Sequence, residues 1–149
     1  GFELMLSADI IYVSDNAKIG DVHTNFSVPP GGGSTSRLPK LVGSKIAKEL
    51  IMSAKWLSID ELKEIGLVNK VIRQSELEKE VSQLIENLID KPRSIHKTIK
   101  EMVNTSLLLD IQEGTKNEIN KIKEYVFKGH DAKEGFWSYV ENRDPDWKI

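Results

Sequence analysis

The run PPGGG at residues 29–33 constrains the fold of this chain more than any other feature of its sequence. Proline cannot donate a backbone hydrogen bond, and glycine loses the most conformational freedom when it is ordered. We therefore predict a turn here, in which the backbone can come close to another group. Ser34 can then cap a helix that continues to Val42, and Gly43 can supply the left-handed residue that ends it.

The glycines match neither of two common phosphate-binding motifs. A Walker loop needs a lysine directly after its last glycine, where this chain has Ser34. The dinucleotide-binding fingerprint needs a third glycine where this chain has Ser36. Both nucleotide-binding interpretations therefore fail. What remains is a turn followed by a helix N-terminus with free amides, which serves either a binding site or the fold alone.

The composition excludes several classes of function. The 149 residues suffice for one domain with a core, and Lys+Arg 21 against Asp+Glu 23 leaves a net charge of -2. We therefore expect no nucleic acid and no membrane as a partner, and no apolar run approaches the roughly 18 residues that span a bilayer. The absence of cysteine excludes disulfides and thiolate chemistry and favours a cytoplasmic location. His96 and His130 have no partners at metal-ligand spacing, so no metal site is expected.

The chain divides into two regions by pattern. Residues 1–73 mix short β-type runs with Gly and Pro, whereas residues 74–149 are largely helical in pattern. In the first region we predict strands at 10–13 and 67–72, with a further short extended piece at 17–20.

Helices are indicated by apolar periodicity and by capping signals. Ser44 is predicted to begin a helix with one apolar face, formed by Ile46, Ala47, Leu50 and Ile51. Ser58 and Ser75 each open a capping box, with a glutamate three positions later. Further helical stripes run over 77–89, 95–103, 111–127 and about 131–142. Stripes of this kind indicate packing, either within a bundle or at a subunit interface.

Two side chains are candidates for proton transfer. Glu3 lies in an apolar segment, where burial would raise its pKa towards a useful acid/base value. The alternative is a solvent-facing glutamate on the polar side of a helix. His23 follows a strand and a turn, a path that can return a side chain to the same end of a sheet, and histidine titrates near neutral pH. The alternative for His23 is an ordinary hydrogen-bonded histidine.

Three segments together resemble the crotonase (enoyl-CoA hydratase/isomerase) superfamily, in the C-terminal half of its subunit. They are GFELMLSADIIYVSDNAKIG at 1–20, VPPGGGSTSRLPKLVGSKIAKELIMSAKWLSIDELKEIGLVNKVI at 28–72 and DAKEGFWSYVENRDPDW at 131–147. The resemblance implies an α/β, crotonase-like (ClpP/crotonase) fold with a spiral ββα core. Residues 1–73 would then form the C-terminal part of this core, and 74–149 a helical oligomerisation region.

The resemblance assigns roles to particular residues. Glu3 occupies the place of the first of the two glutamates with which the family's hydratases work. The second glutamate is replaced by His23 in the segment Gly20-Asp21-Val22-His23, so His23 becomes the second catalytic candidate and Asp21 its nearest carboxylate. Asp21 and Gly31 are predicted to contact substrate. In the tail, Arg143 or Lys148 takes the place of the family's lysine, which holds coenzyme A on the neighbouring subunit.

The same resemblance implies partners. We expect an acyl-CoA substrate, with coenzyme A as part of the substrate and no separate cofactor, and a homo-oligomer that is a trimer or a dimer of trimers. The family's first half would supply the other oxyanion amide and most of the CoA-binding loop, and we expect this N-terminal half to precede Gly1.

Three functions follow as hypotheses. The first is hydration of an enoyl-CoA, or a related reaction of fatty acid metabolism, through an enolate stabilised by an oxyanion hole. The second is decarboxylation or carbon-carbon hydrolysis of an acyl-CoA with His23. The third is a crotonase-derived oligomerisation module without catalytic activity.

Overall fold

The structure is a computed structural model that describes residues 1–147. It separates into two compact units, Gly1–Gln83 and a second unit that begins at Leu84. Within the described residues the helices are α1 (Phe2–Met5), α2 (Ser34–Val42), α3 (Ser44–Ser53), α4 (Ile59–Glu64), α5 (Leu77–Ile89), α6 (Arg93–Ser106), α7 (Ile111–Lys128) and α8 (His130–Glu141). The strands are β1 (Tyr12–Ser14) and β2 (Lys70–Ile72), and short 3₁₀ turns lie at His23–Phe26 and Gln74–Glu76.

The sheet of the first unit is a single parallel pair, β1 beside β2, in which Val13 lies opposite Val71. Compared with the predicted ranges 10–13 and 67–72, β1 begins at Tyr12 and continues to Ser14, and β2 begins only at Lys70. Before these strands the Ile11 N–H donates to the Asn69 side chain at 2.7 Å and not to a backbone carbonyl of the ladder. The extended piece predicted at 17–20 makes one antiparallel bridge, from Ile19 to Leu57.

Helix α2 starts differently from the prediction. Gly33, with a left-handed φ of 113°, is its N-cap, and Ser34 is its first helical residue with no capping hydrogen bond from its side chain. The predicted Ser34 cap is therefore wrong, because the Ser34 side chain is directed into the protein and is 0% exposed. Gly43 ends the helix with a positive φ of 83°, but its ψ of 157° lies outside the left-handed helical region.

The core of the first unit lies around α2, α3 and α4. Leu38 of α2 and Leu62 of α4 are both 0% exposed, and Ala47 and Leu50 form the buried face predicted for α3. Burying a leucine of this kind is worth about 1.5–3 kcal/mol relative to leaving it in water. These contacts fix the position of α2, whose N-terminus lies at the glycine turn.

The two predicted capping boxes have different outcomes. Ser58 caps α4 as predicted: its hydroxyl accepts from the Glu61 N–H, and its own N–H donates to the Glu61 carboxylate. The box predicted at Ser75 is wrong, because residues 74–76 form a 3₁₀ turn without a side-chain cap. The Gln74 N–H donates instead to Asp15 at 3.0 Å.

The second unit is helical, as the pattern predicts. Helix α6 packs against α7, and α7 packs against α8. Many large apolar side chains of the predicted stripes nevertheless remain exposed, among them Val103 at 55%, Ile111 at 88% and Phe127 at 75%. Packing within the unit therefore accounts for only part of these stripes. Among the described residues, no helix is both long and apolar enough to cross a membrane.

Candidate active site

A cavity of about 530 Å³ lies in the first unit, beside α1 and the segment at 18–23. Glu3, Asp21 and His23, the three ionisable candidates of this region, all contribute to its walls, together with Lys18 and Trp56. Residues that are twenty positions apart in sequence therefore meet at one site, as the strand-and-turn path predicts.

The glycine turn holds the carboxylate of Glu3. Glu3 Oε1 accepts hydrogen bonds from the backbone N–H of Gly32 at 2.6 Å and of Ser34 at 3.1 Å. A Cβ at position 32 would lie 2.5 Å from Glu3 Oε2, so any larger residue there would displace the carboxylate. The free amides at the start of α2 therefore bind a carboxylate of the same chain.

These hydrogen bonds determine the charge of Glu3. The Ser34 amide lowers the pKa of the Glu3 carboxyl most, burial opposes this, and the Gly32 amide and nearby His23 lower it further. The pKa of Glu3 therefore lies below its ordinary value of 4.5. The expectation that burial would raise it is wrong, because two N–H donors favour the ionised form.

Asp21 fixes the position of His23. Asp21 Oδ1 lies 2.6 Å from His23 Nδ1 and also accepts the His23 backbone N–H at 3.2 Å. The 3₁₀ turn that carries His23 is tied down in addition, because the Thr24 hydroxyl donates to the Ile51 carbonyl of α3 at 2.6 Å. Asp21 itself is 1% exposed, whereas the side chain of His23 is 37% exposed. The carboxylate therefore lies behind a ring that reaches the cavity.

The ionisation of Asp21 determines which ring nitrogen carries the hydrogen. Burial alone would raise the pKa of Asp21, but hydrogen bonding to Ser34 and to the ring and backbone N–H of His23 outweighs it, so the pKa lies below 3.8. An ionised carboxylate only accepts hydrogen bonds, so His23 Nδ1 is the donor. In the neutral ring, Nε2 then carries the lone pair.

The second nitrogen of His23 faces Glu3. The distance from His23 Nε2 to Glu3 Oε2 is 3.8 Å. This is longer than a hydrogen bond, and both residues line the same cavity. Each side chain is anchored through its other atom, Glu3 by Oε1 and His23 by Nδ1. The site therefore presents one carboxylate oxygen and one imidazole nitrogen with room for a reacting group.

Comparison with known proteins identifies the family of the chain. The family model described as enoyl-CoA hydratase/isomerase matches residues 1–149. The chain belongs to the enoyl-CoA hydratase/isomerase family. The predicted resemblance to the crotonase superfamily and the predicted fold are thereby confirmed.

Particular family members show how much of a subunit the chain represents. A carnitinyl-CoA dehydratase of Salmonella typhimurium is 32% identical over 99% of this chain and 58% of the relative. A solved enoyl-CoA hydratase from Bacillus anthracis has a TM-score of 0.92 at 32% identity, with 99% of this chain and 57% of that chain covered. A Geobacillus kaustophilus structure of enoyl-CoA hydratase subunit I has a TM-score of 0.91 at 34% identity, over 99% and 57% of the two chains. The chain thus spans less than two thirds of the enoyl-CoA hydratase/isomerase family members that it matches.

Three further residues were predicted for the site: Gly31, Arg143 and Lys148. Gly31 is exposed at the start of the glycine turn, next to the amide that binds Glu3. In the second unit Arg143 makes two hydrogen bonds to Glu134 and one to Glu141. Lys148 lies outside the described residues. Substrate contact by Gly31 and coenzyme A contact by Arg143 or Lys148 stay predictions.

Sequence reasoning missed the roles of Gly32 and Ser34. The signal for them was present, since the turn was expected to approach another group and α2 to begin with free amides. The partner was missing from that reasoning, because Glu3 lies 29 residues before Gly32 and no local pattern joins them.

Proposed function

We propose that this chain carries the proton-transfer residues of an enzyme that adds water to an enoyl-CoA thioester or removes it in reverse. One observation carries the proposal: Glu3 Oε2 and His23 Nε2 lie 3.8 Å apart on one cavity, each on an anchored side chain. Hydration needs two such groups, because a proton must leave water while another reaches the α-carbon. The chain spans 58% of its carnitinyl-CoA dehydratase relative, so the activity is proposed for the full-length protein.

In this mechanism the ionised Glu3 accepts a proton and the protonated His23 donates one. Glu3 is the base, because its lowered pKa keeps the carboxyl ionised and Oε2 is not used by the amides of the glycine turn. It takes a proton from water while the water oxygen bonds to the β-carbon. The double-bond electrons pass towards the thioester carbonyl as an enolate, and protonated His23 gives its Nε2 hydrogen to the α-carbon. Transfer of a proton from Glu3 to His23 Nε2 then restores both groups.

The relatives support the reaction class. The matched proteins named above are a carnitinyl-CoA dehydratase and enoyl-CoA hydratases, which add or remove water as their names state. The replacement of a glutamate by His23 changes the group that performs the second transfer. It does not reduce the number of groups, since Asp21 holds His23 where its Nε2 can act.

The 2.6 Å contact between Asp21 and His23 also favours a second candidate function. A histidine backed by a buried carboxylate is suited to activate water as a base in carbon-carbon hydrolysis of an acyl-CoA. When protonated, it is equally suited to give a proton to the enolate that decarboxylation leaves. Turnover of β-keto or malonyl-type thioesters that His23→Ala abolishes would favour this reaction over hydration. Turnover that is unchanged by His23→Ala would leave His23 with a structural role.

The test uses the full-length protein and short enoyl-CoA thioesters, with loss of the conjugated absorbance as the readout. Glu3→Gln and His23→Ala should each lower kcat by about 10²–10⁴-fold. Asn25→Ala is the matched control, since Asn25 is exposed in the same 3₁₀ turn. An inert wild-type protein beside an active His23→Glu variant would show that the native reaction is not hydration.

We also propose that the full-length protein assembles through its helical region, as a trimer or a dimer of trimers. The exposed apolar side chains of the second unit support this, for example Ile111 and Phe127 at 88% and 75% exposed. Contact with a neighbouring subunit's coenzyme A by Arg143 or Lys148 depends on this assembly. Sedimentation velocity would test it, and a monomer at micromolar concentration would contradict it.

A further inference from the structure

Ser34 lies between the two carboxylates of the candidate site. Its backbone N–H donates to Glu3 Oε1 at 3.1 Å, and its side chain is 0% exposed at the start of α2. The hydroxyl faces Asp21, whose carboxylate it stabilises in the charged form. Ser34 Oγ and Asp21 Oδ2 are both buried, and neither has a hydrogen-bond partner of ordinary geometry among the described residues.

Burying two polar atoms without hydrogen-bond partners costs free energy of folding. A hydrogen bond between the two atoms removes this cost when one is a donor and the other an acceptor. Asp21 Oδ1 is already occupied by the ring and backbone N–H of His23, so Oδ2 is the atom that lacks a donor. The Ser34 hydroxyl is the group that can supply that hydrogen, since a hydroxyl has one O–H to donate and Ser34 also lowers the pKa of Asp21.

We propose that Ser34 is a positioning residue that holds Glu3 through its backbone N–H and Asp21 through its hydroxyl. It thereby keeps Glu3 Oε2 directed at His23 Nε2. The inference rests on the proposed function, because it explains how two proton-transfer groups on separate elements keep their spacing. Ser34 itself does not line the cavity, so it acts through Glu3 and Asp21 rather than on the substrate.

The first experiment measures kcat, KM and their pH dependence for Ser34→Ala in the full-length protein. The variant keeps the backbone N–H and loses only the hydroxyl, so we expect kcat to fall about five- to tenfold with KM unchanged. The charged groups around the His23 ring are Asp21 on its own segment, Glu3 from α1 and Lys18 across the cavity. Loss of the donor makes Asp21 a stronger acceptor for His23 and favours the protonated ring, so the alkaline limb of kcat should move upward by about half to one pH unit.

Ser36→Ala is the matched control, because Ser36 is exposed on the same first turn of α2. It should leave kcat, KM and the pH profile at their wild-type values. Ser34→Cys is a second variant for the case that Ser34→Ala does not fold. Cysteine is nearly the same size as serine and is a weaker donor, so this variant should also lower kcat. Equal kcat and equal pH profiles for Ser34→Ala and Ser36→Ala would overturn the proposal.

A spectroscopic readout separates this inference from the proposed function. The Nδ1 hydrogen of His23 should give a downfield proton signal, which His23→Ala removes. In Ser34→Ala, Asp21 has one donor fewer and accepts more strongly from His23, so this signal should move further downfield. An unchanged signal would overturn the role of Ser34 even in an active enzyme. Absence of turnover on every enoyl thioester with the signal shifted would instead overturn the proposed function alone.

Discussion

Replacement of Gly32 by alanine tests the carboxylate clamp directly. The backbone of Gly32 does not require a glycine, since its φ lies outside the left-handed range, so the added methyl group matters only through its surroundings. That methyl carbon would lie 2.5 Å from Glu3 Oε2 and 2.9 Å from Glu3 Cδ. Carbon and oxygen atoms in ordinary contact are about 3.5 Å apart, so the carboxylate has to withdraw by about 1 Å.

A displacement of this size predicts the loss of activity. A misplacement of about 1 Å in a catalytic group costs on the order of 10²-fold in rate, so kcat of Gly32→Ala on a short enoyl-CoA should fall by about that factor. KM should change little, because the methyl group displaces Glu3 rather than a thioester contact. Both constants are measured from the loss of conjugated absorbance in the full-length protein.

A double-mutant cycle identifies the cause of the effect. If the methyl group is unfavourable only because of Glu3, Gly32→Ala should lower the unfolding temperature of the wild type and not that of Glu3→Ala. Gly31→Ala is the stability control, because no atom lies within 4 Å of a Cβ at that glycine. Wild-type kcat for Gly32→Ala, or an equal loss of stability in both backgrounds, would refute the clamp.

Three further predictions concern stability. Leu38→Ala should cost about 2–5 kcal/mol in denaturant unfolding, whereas Leu41→Ala on the exposed side of α2 should cost less than about 0.5 kcal/mol. Gly114→Ala should stabilise α7 by about 0.5–1 kcal/mol, because alanine favours a helix more than glycine does and a Cβ there meets no atom within 4 Å. A lower unfolding temperature for Gly114→Ala than for the wild type would contradict this. The pKa of Glu61 is lowered from 4.5 to about 2, chiefly by Lys55, so the ionised form stabilises the fold above pH 4.5 and that contribution disappears as the pH falls towards 2. Glu61→Gln should therefore be less stable than wild type at pH 6 and equal to it near pH 2, and an equal difference at both pH values would contradict the assignment.

Local features of the fold could be predicted from the sequence because their partners are local. The apolar face of α3 and the Ser58–Glu61 capping box depend on residues three or four positions apart. The box predicted at Ser75 did not form, since a 3₁₀ turn occupies residues 74–76 without a side-chain cap. The same turn accepts a long-range contact, in which the Gln74 N–H donates to Asp15 from 59 residues away, and no pattern within the segment indicates this.

The candidate site likewise has features that the sequence predicts and features that depend on long-range contacts. Asp21 and His23 could be paired from their spacing, and the resemblance identified Glu3 as their counterpart. The direction of the Glu3 pKa could not be predicted, because it depends on amides at Gly32 and Ser34 that reach Glu3 only after α2 is packed. Burial of a carboxylate gives a net rise of its pKa only when hydrogen-bond donors are absent. Here the glycine turn supplies two N–H donors, and the sequence left open whether this turn serves a site or the fold alone.

The resemblance predicts a second glutamate where this chain has His23, and the geometry around His23 indicates what such an exchange would change. A glutamate has two equivalent oxygens, either of which can exchange a proton, whereas Asp21 occupies one nitrogen of His23 and leaves only Nε2 for exchange. Glu3 is restricted in the same manner, because the amides occupy Oε1. The two atoms that remain, Glu3 Oε2 and His23 Nε2, lie 3.8 Å apart on residues that line the same cavity. The glycine turn and the buried aspartate thus have the same effect on opposite sides of the cavity, since each leaves one atom free to react.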